Sequence, residues 1–127
     1  MANFYRPVVG SPLIFVTLDR FGQRVLLEKD RFDTHIALHS EMIGNEGVIK
    51  ESIENPTIIL QSKQFPETWI YYIDNVISTH PLLSVVKTVV NHADTGSGFV
   101  TTSFLKKSIN VQMEGERVIY DKETDKN

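Results

Sequence analysis

Cysteine is missing from the chain, and with it go disulfide frameworks, thiolate zinc sites and cysteine nucleophiles. Long apolar runs are missing too. Nothing approaches the roughly 20 residues that a bilayer-crossing helix needs, so no membrane partner is expected. The opening residues MANFYRPVVG lack the charged, apolar and small-residue pattern of a secretory leader, and the expected location is the cytoplasm. Neither sign of charge dominates: 13 Lys and Arg stand against 16 Asp and Glu, a net charge of −3. That balance is unusual for a protein that grips nucleic acid, where Lys and Arg neutralising phosphate supply much of the affinity. No internal repeat or low-complexity segment is present.

What is there fits one globular domain with one core. The hydrophobic fraction of 41% and charged fraction of 23% disfavour disorder and fibrous classes. We assign residues 1–122 to a single domain and 123–127 to a flexible tail. Charge is unevenly spread: Pro56–Asn110 holds four Lys against three acids, while Val111 onward holds five acids against three bases. An acidic tail beside a more basic middle leaves room for a local cationic cleft.

Leu13–Leu18 (LIFVTL) and Arg24–Leu27 (RVLL), separated by Asp19-Arg20-Phe21-Gly22, read as a β-hairpin. Asp30–Met42 (DRFDTHIALHSEM) then reads as a helix started by Asp30 or Asp33, bearing Phe32, Ile36 and Leu38 on its apolar side and ended by Gly44. A second helix, Asn45–Glu54, places Val48, Ile49 and Ile53 on one stripe and stops at Asn55-Pro56. The period then becomes strand-like in Thr57–Leu60, Thr68–Ile73, Leu82–Val90 and Phe99–Phe104, with Glu116–Tyr120 as an edge strand. The expected fold class is α+β: one or two amino-terminal helices packed on an antiparallel meander sheet, preceded by a short hairpin, with the opposite sheet face free to bind.

Chemistry gathers at a few places. On one helix, His35 and His39 lie a turn apart on the same face, a spacing suited to proton transfer or metal binding. A zinc site needs a third ligand, for which His80, His92 or Glu41 would have to serve, and no spacing asks for it; no metal or other cofactor is expected. Thr101 and Thr102, with Lys106 and Lys107 after them, offer hydroxyls and cations to a phosphorane, although threonine is also a favoured strand residue and paired lysines also make a solvated edge. Trp69, Tyr71 and Tyr72 can stack on unpaired bases or line a core. Lys87, inside Val85–Val90, must face solvent or a polar cleft.

Taken together, the histidine helix RFDTHIALHSEM, the Asn-Pro stop before an apolar strand (VIKESIENPTIIL), and the strands WIYYI, LLSVVKTVV and FVTTSF resemble the phage-associated branch of the barnase, EndoU, colicin and RelE-like (BECR) nuclease superfamily, over about residues 30–107. The resemblance implies a metal-independent, toxin-type RNA endonuclease. A base takes the ribose 2′-hydroxyl proton, the oxygen attacks phosphorus, and a cyclic phosphate and a free 5′-hydroxyl result. His35 and His39 match the helix histidines and Thr101 or Thr102 the late-strand hydroxyl; Lys87 is added here as a phosphate contact, and Tyr71, Tyr72, Lys106 and Lys107 as substrate contacts. RNA is the implied partner, with an immunity or antitoxin protein beside it. The rival expectation, favoured by the acidic pI of about 5.8, is a non-catalytic phage or mobile-element module that binds a host protein or RNA.

Overall fold

A computed structural model of the chain describes residues 12–78, 80, 82–92, 96–109 and 115–124. The readings of the opening residues and of tail residues 125–127 lie outside them. Among the described residues, seven strands form one sheet: β1 (Leu13–Leu18), β2 (Arg24–Glu28), β3 (Ile58–Ser62), β4 (Thr68–Ile73), β5 (Val85–Asn91), β6 (Gly98–Lys106) and β7 (Gly115–Asp121). Two helices, α1 (Lys29–Thr34) and α2 (Glu46–Glu54), lie between β2 and β3, joined by two short 3-10 turns, Ile36–Leu38 and Ser40–Met42. The strand order is β1-β2-β6-β5-β4-β3-β7.

This corrects the expected fold class. The sheet is mixed, 43% of the described residues are strand and 21% helical, and the helices sit mid-chain, so amino-terminal helices on a meander do not describe it. The hairpin is not an appendage. Its second strand, β2, pairs in parallel with β6 through Val25↔Gly98 and Leu26↔Phe99. Parallel partners require a long crossover, here everything from α1 to β5, and a pairing between segments so far apart leaves no mark on local periodicity.

The first helix is also shorter than expected. Phe32, Ile36 and Met42 are all buried. Met42 follows Ile36 by six residues, which on a continuous helix would turn it about a third of a turn away from the stripe. The backbone therefore breaks at His35 (φ −129°, ψ −56°) and again at His39 (φ −83°, ψ 97°), and the two histidines do not share a helix. Leu38, assigned to the apolar side, is 76% exposed. Neither expected carboxylate caps α1: the N-cap position is Glu28, whose side chain does not cap the helix, and Asp33 instead pairs with Lys29.

The main core lies between one sheet face and the helical segment. Ile49 and Ile53 of α2, one turn apart, pack with Val25, Leu27, Tyr71, Val86 and Val90, each aliphatic side chain contributing about 1.5–3 kcal/mol by burial. The opposite face is not free. It carries a second cluster of Ile58, Leu60, Ile70, Tyr72 and Val85. Asp19 opens the hairpin turn, closed by Asp19 N–H to the Gln23 carbonyl (2.8 Å) and by Gly22 at φ +80°, a geometry that favours glycine. The sheet rolls so far that Phe21 at the hairpin tip meets Trp69 of β4 and Tyr120 of β7, with ring centroids 5.9 and 6.5 Å apart. At the carboxyl end, Glu123 N–H bonds Asp121 Oδ1 (2.9 Å), so the first residues assigned to a flexible tail form a turn.

Within the core runs a chain of hydroxyls. Ser52 donates to the Ile49 carbonyl (2.6 Å), so Thr88 donates to Ser52 (2.7 Å) and Ser103 to Thr88 (3.0 Å). All three residues are fully buried, and the chain ties α2 to β5 and β6. Thr88→Val keeps the volume but strips Ser103 of its acceptor and Ser52 of its donor. Urea unfolding should show a loss of about 1–3 kcal/mol with an unchanged m-value.

Candidate active site

β2 leaves β6 after Phe99, so the rest of β6 presents an open edge that the segment from α1 to Met42 fills. Arg31 Nε donates to the Thr101 carbonyl (2.6 Å). A register shift between Val89 and Val90 leaves Thr101 between the pairs Val89↔Thr102 and Val90↔Val100. Thr101 is buried and its hydroxyl is spent on the Val89 carbonyl (3.2 Å), so that hydroxyl is not available to a substrate.

Beyond the bulge, Thr102, Phe104 and Lys106 alternate onto the sheet face opposite the main core. Phe104 stands across from Lys87, and Lys87 across from Tyr72. The Lys87 ammonium lies 5.4 Å from the Phe104 ring centroid, and the Lys106 ammonium 5.7 Å from that of Tyr72. From the edge, the His39 ring meets Phe104 at 5.3 Å and 33°. His39 is exposed and His35 half-buried. Burial first, then the positive charges of Arg31 and His39, push the His35 pKa below the usual imidazole value, which favours its neutral, proton-accepting form.

Thus the rings of His39 and Phe104 and the Lys87 ammonium come together, with Thr102 on the same strand face and His35 within electrostatic reach of His39. Other assigned residues are elsewhere. Tyr71 and Tyr72 are both completely buried, so stacking on a nucleic acid base is closed to them. Lys107 is exposed past the end of β6. Phe104 and Arg31 were not singled out from the sequence, although strand alternation from Thr102 already puts Phe104 on the same face.

A second polar cluster was not anticipated. Asp19, 5% exposed, accepts from four donors: the amides of Phe21 and Gln23 (both 2.9 Å), Gln23 Nε2 (2.9 Å) and the Tyr71 hydroxyl (2.7 Å). The Tyr71 oxygen also lies 2.9 Å from His92 Nε2. Burial, then the bond to Asp19, raises the Tyr71 pKa far above the phenol range; burial lowers that of His92, with Asp19 opposing. His92 lines an open cleft of about 520 Å³ with Gln23, Arg24 and Ser97. No sequence motif joins Asp19, Tyr71 and His92, which come from a turn, a mid-strand position and a strand end.

The chain matches no family model, no curated protein and no solved structure. No helix among the described residues is long and apolar enough to cross a membrane.

Both His35 and His92 accept a proton less readily in the folded chain than in the unfolded one, where the imidazole value is 6.5. As pH falls through about 6.5, the unfolded chain takes up protons that the folded one refuses, so their stability contribution is present above that pH and lost below it. The thermal midpoint should therefore drop between about pH 7.5 and 5.5, before most carboxylates titrate. His92→Gln should shrink that drop; an unchanged drop would assign it to other groups.

Proposed function

We propose that the chain is a metal-independent RNA endonuclease of toxin type, acting in the cytoplasm and cleaving by 2′-hydroxyl attack at the β6 edge. The observation that carries this reading is the meeting of an imidazole and an ammonium on one half-buried aromatic neighbour, His39 and Lys87 on Phe104. His35, held neutral, takes the 2′-hydroxyl proton. The oxygen attacks phosphorus, the P–O5′ bond breaks, and His39 returns a proton to the leaving oxygen. Lys87 and the Thr102 hydroxyl stand where the phosphorane's charge grows, and Phe104 offers its ring to a flanking base. A toxin of this type calls for a protein that neutralises it, and the exposed His39 beside Phe104 is the natural target.

The rival reading, a non-catalytic phage or mobile-element module binding a host protein, draws support from the other end of the sheet. There β1 is terminal and exposes Leu13, Val16 and Leu18, the kind of edge that an added strand covers.

The two diverge on single-stranded RNA in EDTA. The nuclease reading expects products ending in a cyclic phosphate, no cleavage of a 2′-deoxy analogue, and a loss of about 10²-fold or more in His35→Ala/His39→Ala. Lys87→Gln should lower kcat/KM by about 10²-fold. The thermal midpoint should hardly move, as for most surface substitutions. Undiminished cleavage by the double histidine variant would refute the assignment, and harmless expression with no cleavage would favour the rival.

A further inference from the structure

The Asp19–Tyr71–His92 network has a direction. A tyrosine hydroxyl carries one hydrogen, and Tyr71 gives it to Asp19 Oδ2 at 2.7 Å. The Tyr71 oxygen can then only accept from its other neighbour, so Nε2 of His92, 2.9 Å away, is the protonated nitrogen. A neutral imidazole holds one ring proton, and the other nitrogen, Nδ1, is left with its lone pair.

That nitrogen lies on the ring edge that packs over Gly98. A Cβ at Gly98 would fall 2.7 Å from both Nδ1 and Cε1 of His92 and 2.9 Å from a Val90 methyl, so only glycine permits this placement of the ring. Gly98 and His92 both line the 520 Å³ cleft at the amino-terminal end of the parallel β2 and β6 pair. In the same cleft, Arg24 Nε donates to Ser97 Oγ at 3.0 Å. The bond fixes the guanidinium plane, leaves its terminal nitrogens as donors and leaves the Ser97 hydroxyl hydrogen free to donate as well.

The described lining holds no carboxylate, since Asp19 is buried behind its four donors. The cleft thus brings a guanidinium and a hydroxyl as donors together with an imidazole nitrogen as an acceptor. A bare phosphate would leave most of the volume unfilled, whereas a ligand of sugar or nucleotide size suits a cleft of several hundred Å³.

From this the geometry points to a second binding site, separate from the β6 edge, for a sugar phosphate monoester: Arg24 and Ser97 hold the phosphoryl group, and Nδ1 of His92 accepts a hydrogen bond from a sugar hydroxyl. The same chemistry is presented by a free sugar phosphate and by the phosphorylated end of an RNA chain. The site does not depend on the nuclease reading.

The test is a titration of the full chain with ribose 5-phosphate, ribose, inorganic phosphate and a 5′-phosphorylated ribohexamer, followed by ¹⁵N resonances of the imidazoles and by calorimetry. Before any addition, His92 should show the Nε2–H tautomer at pH 7.5. Ribose 5-phosphate should bind, shift Nδ1 of His92, and bind at least tenfold more tightly than ribose or inorganic phosphate alone. Arg24→Gln should weaken it tenfold or more, and His39→Ala should leave it unchanged, which separates failure here from failure of the nuclease reading. Tighter binding of the hexamer than of ribose 5-phosphate would identify an RNA end as the occupant, and the reverse a free metabolite. The Nδ1–H tautomer, no shift at His92 with any probe, or equal binding by Arg24→Gln would overturn the proposal.

Discussion

The parallel contact between β2 and β6 is only two residue pairs long, and most of the functional geometry depends on its shortness. Had β2 continued beside β6, the strand's later amides and carbonyls would have been satisfied by a ladder. Instead the chain turns out of the sheet at Glu28 and enters α1, and the edge from Thr101 onward needs another partner. Arg31 supplies one bond, and the 3-10 turns carrying Ile36 and Met42 supply the packing. Both polar clusters are consequences. At the beginning of β6, where the pairing exists, it leaves a cleft walled by Arg24, Ser97 and Gly98. Further on, where pairing has ceased, it leaves room for His39 to approach Phe104, with His35 in electrostatic reach of His39.

The rolling of the sheet is the second constraint, and a buried carboxylate holds it. Removing a carboxylate from water is expensive unless donors replace the water, and Asp19 has four. Three of them belong to its own turn, and the fourth is Tyr71 in the middle of β4. The group that shapes the hairpin therefore also fastens it to the opposite part of the sheet, while Phe21 packs on Trp69 and Tyr120. The same bond decides which nitrogen of His92 carries the proton, so a fold contact and a chemical property share one cause.

Much of the local structure was readable because it obeys local rules. The Asp19–Gly22 turn, the α2 stripe of Ile49 and Ile53 with its Asn-Pro stop, and the strand at Thr68–Ile73 each follow from period and turn chemistry. The histidine helix failed because burying both Ile36 and Met42 outweighs continued helical hydrogen bonding, and the competition is decided by the shape of the core. The aromatic pair failed for a related reason: alternation correctly separates Tyr71 from Tyr72 onto two faces, but each ring is packed into a buried cluster, and neither meets solvent. Phe104 was legible as a strand residue and illegible as the meeting point of His39 and Lys87, since that needs the partner registers.

What the amino-acid sequence determined alone is the set of short-range facts: no thiol chemistry, no spanning helix, where the chain turns, where strands alternate and where α2 stops. These depend on residues within a few positions of one another, and their energies are set by backbone sterics and side-chain spacing. Only the tertiary structure decided that β2 lies parallel to β6, that His39 and Lys87 share Phe104, and that Asp19, Tyr71 and His92 are bonded in series. Such pairings join residues dozens of positions apart, and the one folded arrangement that buries the apolar faces together selects them from many that local preferences leave equal.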